Sequence, residues 1–477
     1  MPEPIVSVAG MRAREERTWA AGVKVEAVIR RAGLAVAAAA RRMSPAGGPL
    51  LVLAGRGHNG DDAEVAAGEL SDREPVLVRL RASDDSRAFD RARSWLRAHR
   101  GQGDALIVDG LFGIGLNRPL EGPWADLVGE VNDSGIPVLA VDCPSGLDAD
   151  TGRPLGCAVK SARTVTLGAV KWGLLADGAA DHVGRLELAR DIGLLPGEGE
   201  ATAWWTLAED FVGFPPRRPE SAHKGTFGHV GIVAGSFGFH GAAVLAARGA
   251  LRARPGLVTV LTEESVHLPV ASSLSAAMVR PWTGGDWDAG GITALVVGPG
   301  LASSRLSPAW RSEMVRIWRE ALCPVVVDAS ALDWLPAGGR IAGLRVVTPH
   351  PGEAGRLLGV ASVEVQDDRM DAMRRLLARW DGADLWGVLK GRHTLVGAGG
   401  RGVWVNSSGN PGLAQGGSGD VLSGFLGGLL AQPGLARDAG RAVRYGVWRH
   451  GAVADRLEAT GNAWTSEDLA DAMGWKL

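Results

Sequence analysis

Cysteine is scarce, with three thiols, Cys143, Cys157 and Cys323, widely spaced along 477 residues. An odd number at such spacings makes neither a disulfide framework nor a zinc site, so a reducing compartment is expected. No apolar run near the N-terminus approaches the ~20 residues of a membrane-spanning helix, and the longest there is GLAVAAAA. The opening MPEPIVSVAGMRAREERT lacks the apolar core of a secretory signal, so a cytoplasmic location without a membrane partner is expected. Excess charge of one sign is missing too: 51 basic and 53 acidic side chains leave −2, which gives no general attraction to nucleic acid. There is no internal repeat, which excludes solenoids and propellers, and no Gly-x-x-x-x-Gly-Lys-Ser/Thr segment, which excludes a P-loop nucleotide site.

Lysine and asparagine are also rare. Of 51 basic residues only six are lysines (24, 160, 171, 224, 390, 476), and the asparagines are also six (59, 117, 132, 406, 410, 462). Where a chain drifts this far toward arginine, a remaining lysine marks a place for a thin ammonium rather than a planar guanidinium. Lys171, Lys224, Lys390, Asn59, Asn117 and Asn410 all fall in glycine-rich segments. Glycine is abundant, 69 residues, about twice the ~7% average, without a triplet period.

The length predicts two or three domains. After two amphipathic helical stretches (13–21 and 24–42), continuous apolar runs at 50–55, 75–80, 104–110, 137–142 and 164–169 alternate with helical patterns. Continuous hydrophobicity predicts strands covered on both faces, hence an α/β domain with a mainly parallel sheet and helices on each side. Ligands bind such sheets at the carboxyl ends of the strands. Those ends carry GRGHNGDDAEVAA (55–67), DGLFGIGLNRPLEGP (109–123), DCPSGLDADTG (142–152) and GAVKWG (168–173). The first loop can turn backbone N–H groups toward an anion at the start of a helix placed near Asp62, although Asp61 and Asp62 repel a phosphate unless a cation intervenes. Asp109, Asp142 and Ser145 supply oxygens for such a cation. The plainer alternatives are a helix cap for Asp62, turns for Asp148 and Asp150, and a small core residue for Cys143.

The segments VDGLFGIGLNRPLEGPWADLV, GIPVLAVDCPSGLDADTG and TVTLGAVKWGLL resemble the NAD(P)H-hydrate epimerase domain, a Rossmann-like three-layer fold, over roughly residues 10–215. The resemblance implies that His58, Asn59, Gly60, Asp61 and Asp62 contact the hydrated nucleotide. It implies the same for Gly113, Ile114, Gly115, Leu116, Asn117, Arg118 and Pro119, and for Asp142, read as catalytic. A potassium ion (K+) would be held by Asn59, Asp109 and Ser145. The first loop departs from the family's Gly-x-Gly-Asn-Asn-Gly-Gly-Asp-Gly: His58, Asp61 and Ala63 replace Asn, Gly and Gly. An added carboxylate and two stiffer positions are expected to slow epimerisation.

A connector read between 190 and 229 places the boundary near 215, giving domains 1–215 and 216–477. Downstream, strand, loop and helix alternate again, from HVGIVAGS (229–236) onward. In GNPGLAQGGSGDVLSGFLGGLLAQ (409–432), Gly416, Gly417, Ser418 and Gly419 leave N–H groups and the positive end of a helix free for a phosphoryl group. Asp420 there is either a helix cap or a general base beside an anion hole. Lys390-Gly391-Arg392-His393-Thr394 could hold a nucleotide phosphate, with Arg392 and His393 more solvated than catalytic, and two prolines direct the loop residue His350.

HKGTFGHVGIVAGSFGFHGAAVLAARGALRARPGLVTV, VVGPGL, VVTPHPGEAGRLL, LKGRHT and GGSGDVLSG resemble the ADP-dependent NAD(P)H-hydrate dehydratase, a ribokinase-like three-layer fold, over about 220–475. By that resemblance Ala243, Gly300 and His350 contact the hydrated nucleotide. Lys390 to Thr394 and Gly419 bind ADP (or ATP), Asp420 is the base, and Mg2+ accompanies the phosphates. Ala302 and Ser330 depart from the usual Gly and Asp. Together the resemblances imply a repair enzyme for hydrated NADH and NADPH that epimerises the R and S forms and dehydrates the S form; a homo-oligomer is expected. A small-molecule kinase carrying a non-catalytic N-terminal nucleotide-binding module is the alternative.

Overall fold

The computed structural model describes residues 3–44, 47–196, 201–282, 284–285, 291–380 and 384–475. It divides into two compact units, Glu3–Thr202 and Ala203–Leu477. The division falls at 202/203 rather than near 215, because Ala203–Trp205 pairs in parallel with Gly402–Val405 and so belongs to the second sheet. Of the connector, residues 197–200 lie outside the described residues.

The N-terminal unit holds a six-stranded parallel sheet in the order Val76–Arg79, Leu50–Ala54, Leu106–Gly110, Val138–Val141, Arg163–Leu167, Arg185–Ala189. Side chains alternate across a strand, so Leu50, Val52 and Ala54 enter the core under the helices Val25–Met43 and His58–Glu69. Leu51 and Leu53 enter the opposite core with Phe89 and Leu127 from Ser86–Ala98 and Pro123–Asp133. Both faces are thus apolar, which is why the strand sequences read as unbroken hydrophobic runs. The edge strand Arg185–Ala189 escaped the sequence reading because it is covered incompletely and carries Arg185 and Glu187. The helix after the first loop begins at His58, not near Asp62: Gly57, with φ 83°, makes the turn and stands at the cap position, so Asp62 lies inside the helix.

The C-terminal unit contains ten strands of a mixed sheet in the order Ala203–Trp205, Gly402–Val405, Leu395–Ala398, Leu385–Leu389, Arg345–Val347, Val325–Val327, Ala294–Val297, His229–Val233, Leu257–Thr262, Met278–Pro281. Leu395–Ala398 runs antiparallel to both neighbours, so Leu385–Leu389 and Leu395–Ala398 form a hairpin whose turn is Lys390–Thr394. The helix Ser418–Leu430 is apolar on almost every side and buried from Val421 onward, each large side chain contributing about 1.5–3 kcal/mol. It lies against His240–Arg252 at backbone contact distance, since a Cβ on Gly424 would fall 1.9 Å from the Ala246 carbonyl oxygen. This packing fixes the Ser418 end of the helix at the carboxyl end of the sheet. No helix among the described residues is long and apolar enough to cross a membrane.

Candidate functional sites

At the carboxyl end of the first sheet a cavity of about 760 Å³ is lined by His58, Asn59, Asp62, Asp142 and the loop Gly113–Pro119, all singled out from the sequence. Gly60 and Asp61 are not among its lining residues. The wall also includes Arg12, Glu15 and Trp19 from the helix Val8–Ala20, which no motif pointed to.

Asp142 ends the strand Val138–Val141 with φ 62°, a left-handed conformation that costs a non-glycine residue of order 1 kcal/mol or more and is kept by its surroundings. Its Oδ1 accepts from Lys171 Nζ at 2.5 Å, Leu167 N at 2.9 Å and Thr166 Oγ1 at 3.2 Å. Lys171 is fully buried and also donates to the Leu167 carbonyl at 2.8 Å. This partner of Asp142 could have been found from the scarcity of lysine. Around the pair, burial pushes the Asp62 carboxyl up to about 8, and the negative charges of Asp142, Asp61 and Glu15 add to the shift. Burial raises Glu15 as well, with Asp142 contributing.

Asp109 and Ser145 are in direct contact. Ser145 Oγ donates to Asp109 Oδ1 at 2.6 Å, Ser145 N to Oδ2 at 2.9 Å, and Phe112 N to Ser145 Oγ at 2.9 Å. Asp109 is completely buried, and burial raises its pKa against these hydrogen bonds. Asn59 stands beside Gly113, its Oδ1 3.2 Å from where a Cβ on that glycine would lie, and both polar atoms of its carboxamide are buried without a hydrogen-bond partner. Asp148 makes the expected turn, accepting from Asp150 N and Thr151 N, whereas Asp150 accepts from Val8 N at 2.7 Å and so holds the first helix. Cys143 is buried, as a small core residue would be.

In the C-terminal unit Asp420 lies in the first turn of Ser418–Leu430, and the cap position belongs to Gly417, which has φ 93°. Asp420 is therefore not the helix cap. Lys390 at the end of Leu385–Leu389 reaches Asp328 Oδ1 at 2.7 Å and Glu353 Oε2 at 3.7 Å. A Cβ on Gly419 would lie 3.3 Å from Lys390 Nζ and 3.8 Å from Asp328 Oδ2, so the ammonium, two carboxylates and the helix start form one cluster. Burial alone would lower the Lys390 pKa, but Asp328, Glu353 and Asp420 outweigh it and raise it. Burial and the charges of Asp328 and Glu353 push Asp420 up to about 7 in spite of Lys390.

Asp328 and Glu353 were missed: each follows an apolar strand as an ordinary turn or helix-start acid, and nothing local marks them. His350 caps the helix Pro351–Leu358, its Nδ1 accepting from Gly352 N at 3.0 Å, while Glu353 Oε2 accepts from His350 N at 2.8 Å. Its imidazole is half exposed, and Ala243 is fully buried beneath Gly235. Gly300, with φ 66°, holds its carbonyl on Ser236 Oγ at 2.6 Å. The loop Gly391–Thr394 is tied down by Arg369, which donates to the Leu389, Lys390 and Arg392 carbonyls. His393 is not solvated as expected. Its Nε2 is buried without a partner, and burial pushes its pKa down to about 3, so the ring is neutral. Thr394 Oγ1 donates to the Gly391 carbonyl, and Ser418 Oγ to the Leu413 carbonyl.

Residues 230–474 match the family described as NAD(P)H-hydrate dehydratase, and residues 25–173 the family described as YjeF-related protein N-terminus. The chain is 39% identical over 95% of its length to the bifunctional NAD(P)H-hydrate repair enzyme Nnr of Gloeobacter violaceus, covering 94% of that protein. It is 34% identical over 94% of its length to the protein so named in Escherichia coli, covering 88% of it. A Bacillus subtilis ADP/ATP-dependent NAD(P)H-hydrate dehydratase, crystallised with ATP/Mg2+, is similar over 54% of this chain and 91% of its own, with 30% identity and a TM-score of 0.48. With both of its units matched in this order, the chain belongs to the family of bifunctional NAD(P)H-hydrate repair enzymes.

Proposed function

We propose that the N-terminal unit interconverts the R and S hydrates of NADH and NADPH and that the C-terminal unit dehydrates the S form using a nucleoside diphosphate. The observation that carries this reading is the gathering of Asp420, Lys390, Asp328 and Glu353 at the start of Ser418–Leu430. A carboxyl pushed up to about 7 exchanges protons near neutral pH, where a general base is most effective. Asp420 takes the proton of the hydrate hydroxyl as that oxygen attacks the terminal phosphoryl group of ADP, releasing AMP. Phosphate then leaves together with a proton from the neighbouring ring carbon, and the ring double bond is restored. The first-turn N–H groups and the Lys390 ammonium face the charge on the transferring oxygens.

Mg2+ would enter on the nucleotide. Lys390 already lies between Asp328 and Glu353, and no group of three or more His, Cys, Asp or Glu among the described residues is disposed to hold a metal ion. Bound to the phosphates, Mg2+ supplies neutralisation of their charge. Potassium fits the N-terminal unit better. Asn59 offers a buried carboxamide with no partner, and Asp109, Ser145 and the Phe112 carbonyl add one carboxylate and neutral oxygens, a donor set for a weakly charged hard cation. That ion would supply charge against the substrate's diphosphate.

Within the divergent loop, Ala63 is accommodated: it is fully buried, and its Cβ stands 2.5 Å from where a Cβ on Gly110 would lie, so glycine at 110 makes the room. The electrostatic burden therefore rests on Asp61, which raises Asp62, with His58 at the cavity.

The test is incubation of the full chain with both hydrate epimers and ADP, following the absorbance of reduced nicotinamide. Complete conversion requires both activities, and a halt once the S form is consumed leaves the dehydratase alone. A stable phosphorylated product without reduced nicotinamide would replace this reading with that of a small-molecule kinase.

A further inference from the structure

We infer that the helix Val8–Ala20 is a substrate-binding wall of the N-terminal cavity, in which Arg12 pairs with the diphosphate of the hydrated dinucleotide and Trp19 stacks on one of its rings. The inference rests on the epimerase reading and adds two residues to it. The helix precedes the region matched to the family, which begins at residue 25. Its Met11, Arg12, Glu15 and Trp19 recur at helical spacing and all line the cavity, so one face of the helix is turned to it.

The adjoining stripe of the helix is fastened. Arg14 donates to the Leu195 carbonyl at 2.6 Å and the Gly168 carbonyl at 3.1 Å and pairs with Glu3 at 3.0 Å. Thr18 Oγ1 accepts from Leu195 N at 3.1 Å, and the helix start is held by Ser7 Oγ and by Asp150. A wall fixed in this way spends little entropy on ordering when a ligand arrives.

Charge decides what Arg12 does. Asp62 is largely protonated near neutral pH, but Glu15, Glu121 and Asp142 also line the cavity and oppose a diphosphate, so binding one calls for cations there, and Arg12 lines it together with Arg56 and Arg118. Arg12 is exposed and makes no hydrogen bond or ion pair among the described residues, which leaves its guanidinium for a phosphate, a geometry it fits with two parallel hydrogen bonds. Trp19 is half-buried: part of its indole packs on the core that includes Val28 and Val36, and the remainder borders the cavity. A half-supported indole is a stacking platform for an aromatic or partly saturated ring.

The test uses the full chain with ADP in excess, and purified R or S hydrate as substrate. Appearance of reduced nicotinamide from the R form reports epimerisation followed by dehydration, and from the S form dehydration alone. Arg12→Ala and Trp19→Ala are each expected to raise KM for the R hydrate by roughly fivefold or more, with the change falling mainly on KM rather than kcat. Trp19→Phe recovers most of the loss and Arg12→Lys only part of it, while conversion of the S hydrate and Tm match the parent. A KM for the R hydrate within about twofold of the parent in both alanine variants overturns the inference, as does a rise in KM that tracks a fall in Tm. If the parent converts only the S hydrate, the epimerase reading fails. Calorimetric binding of the R hydrate to the parent and to Arg12→Ala then decides the wall on its own, with equal affinity overturning it.

Discussion

Replacing Asp420 by asparagine should separate activity from stability. Burial beside Asp328 and Glu353 moves this carboxyl from 3.8 to about 7 in the folded protein. A group with a raised folded pKa binds more protons folded than unfolded, so its penalty is absent below pH 3.8. The penalty grows between there and about 7, and is complete above it. Three units at ~1.36 kcal/mol each set an upper bound of about 4 kcal/mol, and residual solvent at the half-buried carboxyl trims this to about 2–4 kcal/mol. Asp420→Asn should therefore unfold at a higher temperature than the parent at pH 8, by roughly 2–4 °C per kcal/mol for a domain of this size. The gain should vanish near pH 4. Turnover of the S hydrate with ADP should fall by about two to four orders of magnitude at pH 8, and by less as the pH drops below 7. The parent's kcat/KM should rise with pH to a plateau above about 7, a limb the variant lacks. Tryptophan fluorescence during thermal unfolding across pH, beside absorbance of the reduced nicotinamide, measures both. A variant no more stable at pH 8 than at pH 4, relative to the parent, would refute the buried-charge argument. Near-normal turnover would remove Asp420 from the chemistry.

Lys390→Arg should weaken ADP binding by about tenfold or more, because Nζ sits 2.7 Å from Asp328 and 3.3 Å from where a Cβ on Gly419 would lie, leaving no room for a guanidinium. Calorimetry that shows unchanged affinity contradicts this. His58→Asn with Asp61→Gly should speed conversion of the R hydrate, most at low potassium, whereas adding Ala63→Gly should lower Tm by removing a buried methyl that fits against Gly110. If the double change leaves the rate as it was, the loop's charge is tolerated. Ser145→Ala, which removes the hydroxyl joining Asp109 to Phe112, should lower Tm in either salt and abolish any potassium-dependent rise in it, and an undiminished potassium response would move the ion elsewhere.

Sequence by itself determined what depends on neighbours along the chain. The unbroken runs at 50–55 and 104–110 report strands covered on both faces, because two buried faces leave no polar alternation. The glycine-rich stretches at 55–60 and 416–419 report strand-to-loop-to-helix turns, because only small residues admit the positive φ of Gly57 and Gly417. The drift from lysine to arginine marks Lys171 and Lys390, both of which hold carboxylates at strand ends.

What only the tertiary structure decided is which distant residues meet. Asp328, Glu353, Lys390 and Asp420 span 92 positions, and they converge because parallel strands deliver their carboxyl ends to one edge of a sheet, an outcome no local periodicity encodes. Arg12, Glu15 and Trp19 read as residues of an ordinary amphipathic helix until Arg14 and Thr18 fix which way it turns. The strand Ala203–Trp205 reads as linker because its partner, Gly402–Val405, lies some 200 residues away, and long-range pairing alone makes it part of a sheet. Protonation followed the same rule: Asp62 and Asp420 are ordinary aspartates in the sequence, and burial among other carboxylates, a property of the assembled fold, is what moves them toward neutral pH.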